Sequence, residues 1–261
     1  MQLQLKMGTD LREVSGRDYY ANLYLTQLEA EAEWLRRGAL DKADSVEQLL
    51  ARNGIVPGTL TELGAGTGAV ISECRRRGLG QTFTAVDDAA AAVEYLRKNV
   101  QGVTAIKADI SSLDFQLNEP VDVLVISHVV EHLEQPKAFL EAVRQLKFRA
   151  AIIEVPLEDL PLARYKSWIN HRWENAAGHV QFFTATSFER LVTSAGLKIV
   201  DRRSYIPIPT VDTLRFVHAK DKLPLWRLPL MWLTRRLMPR VNRHLYQRLY
   251  YCHYAVLVVP E

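Results

Sequence analysis

The ten residues TELGAGTGAV, 61 to 70, decide how this chain is read. An extended stretch runs straight into three alternating glycines, Gly64, Gly66 and Gly68, and then into residues that suit a helix. Glycine lets the backbone turn sharply and approach a ligand with no Cβ in the way. The GxGxG spacing after the acidic Glu62 differs from GxGxxG, the loop that cradles a pyrophosphate at a helix N-terminus in dinucleotide enzymes. It favours a ligand without phosphate, and an NAD-dependent dehydrogenase is the main misreading to avoid.

Outward from the loop, apolar runs rich in β-branched residues alternate with amphipathic stretches: TLTEL, AVISECRRRG, TFTAVD, AAAAVEYLRKN, VTAIKAD, VDVLVIS, QPKAFLEAVRQL and AAIIEVP. That alternation predicts an α/β fold, a mostly parallel sheet covered by helices on both faces. Upstream, Tyr20, Leu23, Tyr24, Leu28, Leu35, Val46, Leu49 and Leu50 predict helices from Asp18 to Asn53, ended by Gly54 and Pro57. Downstream, SFERLVTSAG reads as a helix, and LKIVDRRSY and YAVLVVP read as strands. The segments 157–179 and 206–250 break the alternation with prolines, tryptophans and arginines, and are expected to cover the ligand-binding edge, beyond the carboxyl ends of the strands. The expected organisation is a helical cap at 1–55, a core at 56–205 with an insertion at 157–179, a helical lid at 206–250 and a closing strand at 251–261.

Composition sets the outer limits. A chain of 261 residues, 48% of them hydrophobic, holds one full-size α/β domain with elaborations. A net charge of +3 from 33 basic and 30 acidic residues demands no nucleic-acid partner. The two cysteines, Cys74 and Cys252, form no CxxC pair, which argues against a disulfide scaffold and for a reducing, cytoplasmic setting. No stretch suits a signal peptide or a membrane span, so a soluble or at most surface-bound protein is expected.

Two carboxylates follow the glycine loop. Asp87 ends the TFTAV strand, about 20 residues beyond the glycines, where a carboxylate can accept from both hydroxyls of a ribose. Asp109, followed by Ile110, could accept from an adenine amine beside an apolar surface for the ring, although a helix cap is the structural alternative.

Four segments in one order, ELGAGTG, AVDDA, KADI and VISHVVEHLEQP, make the chain resemble the class I S-adenosylmethionine methyltransferases. The resemblance covers roughly 45 to 155 and continues in GHVQFFTATSFERLVTSAGLKIV, which is similar to a stretch of many small-molecule, lipid-precursor and glycan methyltransferases. It implies a Rossmann-like fold with a seven-stranded sheet and S-adenosylmethionine as methyl donor. By position it puts Gly64, Ala65 and Gly66, with Gly68 closing the loop, beside the donor's methionine part. Asp87 falls on the ribose and Asp109 with Ile110 at the adenine, while Glu62 supports the loop or the amino group. Ser127 and His128 fall near the sulfonium.

VDVLVIS leads into His128, Val129, Val130, Glu131 and His132. If the chain turns helical there, His128, Glu131 and His132 share one face at i, i+3 and i+4. HxxEH also matches the inverse zinc-peptidase motif, but that motif belongs within a helix rather than at a strand end. The run resembles ExxEH of the ubiquinone-type O-methyltransferases, a metal site in some members, with His128 replacing the first carboxylate. A divalent metal on these three residues and a structural role for Glu131 and His132 both remain open.

Methyl transfer from a sulfonium needs an aligned acceptor and, for a hydroxyl, removal of a proton. A neutral imidazole titrates in the right range. His128 and His179 are the candidate bases, with His171 a third, and Tyr19, Tyr20 and Trp34 could cover the donor. The expected acceptor is a small molecule, a sugar or a lipid-linked precursor, modified on oxygen, because no Asn/Asp-Pro-Pro-Tyr motif for amines follows the fourth strand. The alternatives are a donor-binding regulatory protein without turnover and a nucleic-acid methyltransferase. Within 222–248, Trp226, Leu230, Leu233, Leu237, Val241, Leu245 and Leu249 recur at helical spacing among arginines. Pro229 and Pro239 are expected to divide this segment. One reading packs its apolar face on the sheet's edge as a lid; the other sets Arg227, Arg235, Arg236, Arg240 and Arg243 against an anionic membrane or a lipid-linked phosphate.

Overall fold

VDVLVIS has no polar face, so as a strand it must be covered on both sides. It forms β4 (Val121–Ser127) of a seven-stranded sheet, with β1 (Thr59–Leu63), β2 (Thr82–Asp87), β3 (Thr104–Lys107), β5 (Phe148–Leu157), β6 (Leu197–Tyr205) and β7 (Cys252–Pro260). The strand order is β3-β2-β1-β4-β5-β7-β6. In this computed structural model, which describes residues 16–112, 115–117, 119–170 and 178–261, β7 runs antiparallel to β5 and β6, and the other pairings are parallel. A mostly parallel sheet is therefore what the alternating sequence builds.

Side chains alternate across the sheet with a period of two. Val123, Val125, Ala150, Ile152, Ala255 and Leu257 enter a core with α1 (Gly16–Arg52) and α2 (Ala69–Arg76), joined by Leu96 of α3 (Ala90–Asn99). Leu124, Ile126, Ala151, Ile153, Val256 and Val258 enter the opposite core, against Phe139 and Leu140 of α4 (Pro136–Gln145) and Phe188 and Val192 of α6 (Ala185–Ser194). Each of the valines, leucines, isoleucines and phenylalanines contributes roughly 1.5 to 3 kcal/mol by leaving water. Cys74 and Cys252 are both buried and unbridged.

The helix expected from Asp18 to Asn53 is interrupted: α1 kinks at Gln27, whose φ of −141° lies outside the helical region. Its C-terminal half is tied to α2 by Arg77. That guanidinium reaches Asp44 at 2.6 Å, Glu47 at 2.8 Å, Glu73 at 2.8 Å and the Leu40 carbonyl at 3.1 Å. Thus α2, which starts at the glycine loop, and α1, which covers it, share one guanidinium.

The segment between β5 and α6 carries α5 (Pro161–Asn170); His171 lies outside the described residues. Between β6 and β7 run α7 (Val211–Lys220), α8 (Arg227–Trp232), a π-helical turn (Leu233–Leu237), α9 (Met238–Val241) and α10 (Arg243–Leu249). The prolines do not divide this run as the sequence suggests. Pro229 sits in the first turn of α8, where the missing N–H is tolerated, Pro239 follows the π turn inside a continuous helical run, and the break falls at Asn242. The wide π turn ahead of Pro239 relieves the clash of its ring with the carbonyl four residues earlier. Nor does the apolar stripe pack on the sheet: Trp226, Leu230, Leu233, Leu237, Val241, Leu245 and Leu249 are all exposed, and Met231, on the other side, packs on Leu214 and Val217 of α7. No described helix is long and apolar enough to cross a membrane.

Replacing Arg77 by Met should remove charged hydrogen bonds worth roughly 1 to 3 kcal/mol, discounted for the partial exposure of Asp44 and Glu47. Urea denaturation should show that loss, with faster hydrogen exchange in α1 than in the sheet.

Candidate active site

Open α/β sheets leave a crevice where the strand order reverses, and here that point lies between β1 and β4. Gly64, Gly66 and Gly68 in the loop after β1 have φ of 72°, 54° and 76°, in the left-handed region. A Cβ on Gly64 would stand 2.4 Å from Val129 Cγ2, and one on Gly66 would stand 2.5 Å from the Tyr24 hydroxyl oxygen. The Gly64 and Ala65 N–H groups donate to the Val86 carbonyl, which pins the loop to β2.

The Gly66 N–H donates to Asp87 Oδ2 at 2.7 Å, and the Ala89 N–H donates to Oδ1 at 2.9 Å. Burial raises the Asp87 pKa while these two bonds oppose the rise. Glu62 Oε2 accepts from the Ile71 N–H at 2.9 Å and so spans the loop from strand to helix. Burial pushes Glu62 up to about 8, against the pull of that bond and of Lys42.

A cavity of about 1180 Å³ opens over the loop. That exceeds the roughly 300 to 1,000 Å³ typical of one ligand and leaves room for two side by side. Glu62, Gly64, Ala65, Gly66, Asp87, Asp109, Ile110, Ser127, His128, His132 and His179 all line it. Gly68 and Glu131 do not. The space a Gly68 Cβ would need is taken by Leu96, 2.7 Å away, so this glycine serves the packing of α2 on α3. Asp109 Oδ1 accepts from the Ser111 N–H at 3.0 Å and hydroxyl at 2.6 Å, ordering its own turn while facing the cavity.

The stretch after β4 does not continue as an α-helix. His128 sits at φ 58°, and a single 3₁₀ turn covers Val130–His132. The left-handed residue turns His128 off the helical face expected from i, i+3, i+4 spacing: its Nδ1 stays 3.1 Å from Glu131 Oε1 while its Nε2 meets a second carboxylate. His128 Nε2 lies 3.1 Å from His253 Nδ1 and 3.5 Å from Glu154 Oε1. Glu154 accepts from the Tyr205 hydroxyl at 2.7 Å, and Tyr251 Oη lies 2.9 Å from His253 Nε2. On the other side, Glu131, His132 and His179 bring one ligand atom each within 4.8 Å of one another.

Glu131 is fully buried, and both its oxygens lack a hydrogen-bond partner. His128 Nδ1 stands 3.1 Å from Oε1 without the alignment of a hydrogen bond. Burial alone would raise the Glu131 carboxyl, but the facing His128, His132 and His179 pull it below the usual range. His132 is pushed down to about 4 by burial, with the Glu131 charge opposing; Tyr20 Oη and the Gly178 carbonyl flank its ring at 3.3 and 3.2 Å. His179 Nδ1 lies 2.6 Å from Glu158 Oε2. Burial lowers the His179 pKa, but the bond to Glu158 and the Glu131 charge outweigh it, and the net shift is upward.

Lys42, Glu154, Glu158, Tyr205, Tyr251 and His253 have no motif around them, and sequence reasoning did not single them out. Lys42 projects from α1 onto the cavity wall, and burial lowers its pKa against the field of Glu154, Glu131, Glu62 and Glu31. Trp34 and Tyr20 also line the cavity, whereas Tyr19 is not on its wall and packs instead against Gly178.

A family model described as a methyltransferase domain matches residues 33–202. No curated protein matches the chain. Among solved structures, magnesium protoporphyrin IX methyltransferase from Synechocystis PCC 6803 with bound S-adenosylhomocysteine is similar at 15% identity and a TM-score of 0.57, over 88% of this chain and 86% of that one. The Haloferax volcanii protein complexed with the Trm112 methyltransferase activator aligns at 14% identity and a TM-score of 0.59, over 92% and 97%. Coclaurine N-methyltransferase bound to N-methylheliamine and S-adenosylhomocysteine aligns at 17% identity and a TM-score of 0.56, over 85% and 72%. At these identities the likeness is one of fold.

Glu62 allows a direct check of the loop. Its folded pKa of about 8 lies above the ordinary 4.5, so its contribution to stability is full below 4.5 and is lost as pH rises through 8. Glu62→Gln keeps an acceptor for the Ile71 N–H and does not titrate. Without ligand, the variant should gain on the wild type by up to roughly 1.4 kcal/mol per pH unit between about pH 5 and 8. Parallel denaturation curves across that range would refute the assignment.

Proposed function

The chain belongs to the methyltransferase-domain family, and from that premise we propose that it transfers the methyl group of S-adenosylmethionine to the hydroxyl oxygen of a small or lipid-linked acceptor. The observation that carries this reading is one cavity, large enough for two ligands, whose wall holds both the glycine loop with Asp87 and the histidines His128, His132 and His179. The residues fit such a donor. Gly64 and Gly66 bring bare backbone to the cavity wall, and Asp87 holds a buried carboxylate at the cavity edge for ribose hydroxyls. Lys42 offers a cation for the amino-acid carboxylate, and Asp109 with Ile110 flanks the adenine.

When bound, S-adenosylmethionine supplies an electrophilic methyl carbon; alignment and proton removal fall to side chains. Ser127 ends β4 beside the loop and His128 follows it, and His179, whose Nδ1 lies 2.6 Å from Glu158 Oε2, lines the same cavity as the second candidate base. Paired histidines able to take a proton favour oxygen over an amine, which needs chiefly alignment. Leu133, Phe139, Phe182, Ile208, Leu214 and Val217 favour an acceptor with an apolar body over a free sugar.

A divalent cation fits Glu131, His132 and His179, because it would complete the two unpartnered buried oxygens of Glu131. It would polarise the acceptor oxygen and ease loss of its proton. This grouping keeps two residues of the expected metal trio and exchanges His128 for His179.

Asp87→Ala should weaken donor binding about ten- to hundredfold by calorimetry, through loss of charged hydrogen bonds; unchanged affinity in the folded variant would exclude the donor site. With labelled donor and native-cell extract, His128→Gln or His179→Gln should lose turnover while retaining donor affinity. Dialysis against chelator should abolish transfer, and a divalent ion should restore it; indifference to both would leave the histidines as bases alone.

A further inference from the structure

The segment from Lys222 to Tyr250 holds seven Lys and Arg residues and no Asp or Glu. From Arg227 to Val241 it is one unbroken helical run through the π turn. An amphipathic helix on a soluble protein turns its apolar stripe inward. Here the stripe faces out: Trp226 is 64% exposed and Val241 77%, with Leu230, Leu233 and Leu237 exposed between them and Leu225, 82% exposed, just ahead. The inward side is anchored through Met231 on Leu214 and Val217, so the outward stripe is the result of definite packing.

The second insertion joins this face. Helix α5 packs on α10, and on α5 Tyr165 and Trp168 form an exposed ring pair with centroids 6.2 Å apart, Trp168 being 73% exposed. Two segments more than fifty residues apart in sequence thus present tryptophan, tyrosine and leucine outward, with Arg227, Arg240, Arg243 and Arg248 exposed among them.

We propose that α5 and α8 to α10 form a docking face for an anionic lipid bilayer. Apolar and aromatic side chains would enter the headgroup boundary while the arginines meet lipid phosphates. A second copy of the chain is a poor occupant, since pairing the same face would set the seven cations of one acid-free segment against seven more. Nucleic acid would use the arginines but would leave the leucine stripe in water. Arg235, Tyr246 and Tyr250 of the same segment line the cavity, so a docked molecule takes its acceptor directly from the bilayer. Acceptor delivery rests on the methyl-transfer reading, whereas docking stands without it.

Flotation with vesicles tests docking without reference to activity. At low salt the full chain should float with vesicles of phosphatidylcholine containing about a third phosphatidylglycerol, and should float poorly with phosphatidylcholine alone or at high salt, as screening shortens. The triple variant Arg227→Glu/Arg240→Glu/Arg243→Glu should lower the partition coefficient at least about tenfold, and so should Trp226→Ser/Val241→Ser, both with unchanged donor affinity by calorimetry as proof of folding. Wild type that stays with the soluble fraction at low salt overturns the proposal. So does flotation indifferent to both variants, light scattering showing a dimer that the apolar variant alone dissolves, or RNA binding that only the charge variant abolishes.

Discussion

The close approach of Gly64 to Val129 is the contact on which the site depends. No Cβ can stand between them, since one on Gly64 would lie 2.4 Å from the valine methyl. The loop after β1 and the turn after β4 therefore interlock at the point where the strand order reverses. Val129 follows His128, so the same contact helps hold His128 at φ 58°, a conformation that costs energy for a residue with a side chain. The His128 N–H donates to the Glu154 carbonyl at 2.9 Å and completes the restraint. Glycine on one strand end thus sets the direction of a histidine on the next.

Behind that turn, two buried carboxylates face four cavity-side histidines, His128, His132, His179 and His253. Glu154 is bound by Tyr205 and His253, whereas Glu131 has no hydrogen-bond partner. A buried carboxylate that faces His128 at 3.1 Å yet has a hydrogen bond on neither oxygen does not repay its desolvation. An apolar side chain there would be cheaper to fold. The unsatisfied carboxylate is consistent with a site built for an ion or a proton, and the depressed pKa of His132 keeps a neutral ring beside it.

Two insertions on a conventional sheet give the molecule its individuality. Helix α7 is tied to the cap through Arg37 with Asp212 at 2.6 Å and Lys220 with Glu31 at 2.6 Å. It thereby carries α8 to α10 over the cavity while leaving their apolar stripe outside. From these segments Ile208, Leu214 and Val217 reach the cavity wall, among the side chains that the proposed acceptor would meet.

The sequence by itself determined the sheet, the glycine loop and the carboxylate ending β2, because periodicity and glycine spacing are local: each follows from residues within a few positions of one another. It also marked His128, Glu131, His132 and His179 as chemistry-bearing. It could not group them, since a left-handed residue after β4 carries no composition cue and turns His128 toward Glu154 and His253 instead of along a helix. Lys42, Tyr205 and His253 reach the cavity from elements far apart in the chain, in contacts that exist only once the sheet closes. The direction of the apolar stripe in 222–250 was likewise undecided. A helix's periodicity states that one face is apolar, and only packing against α7 decides that this face meets solvent.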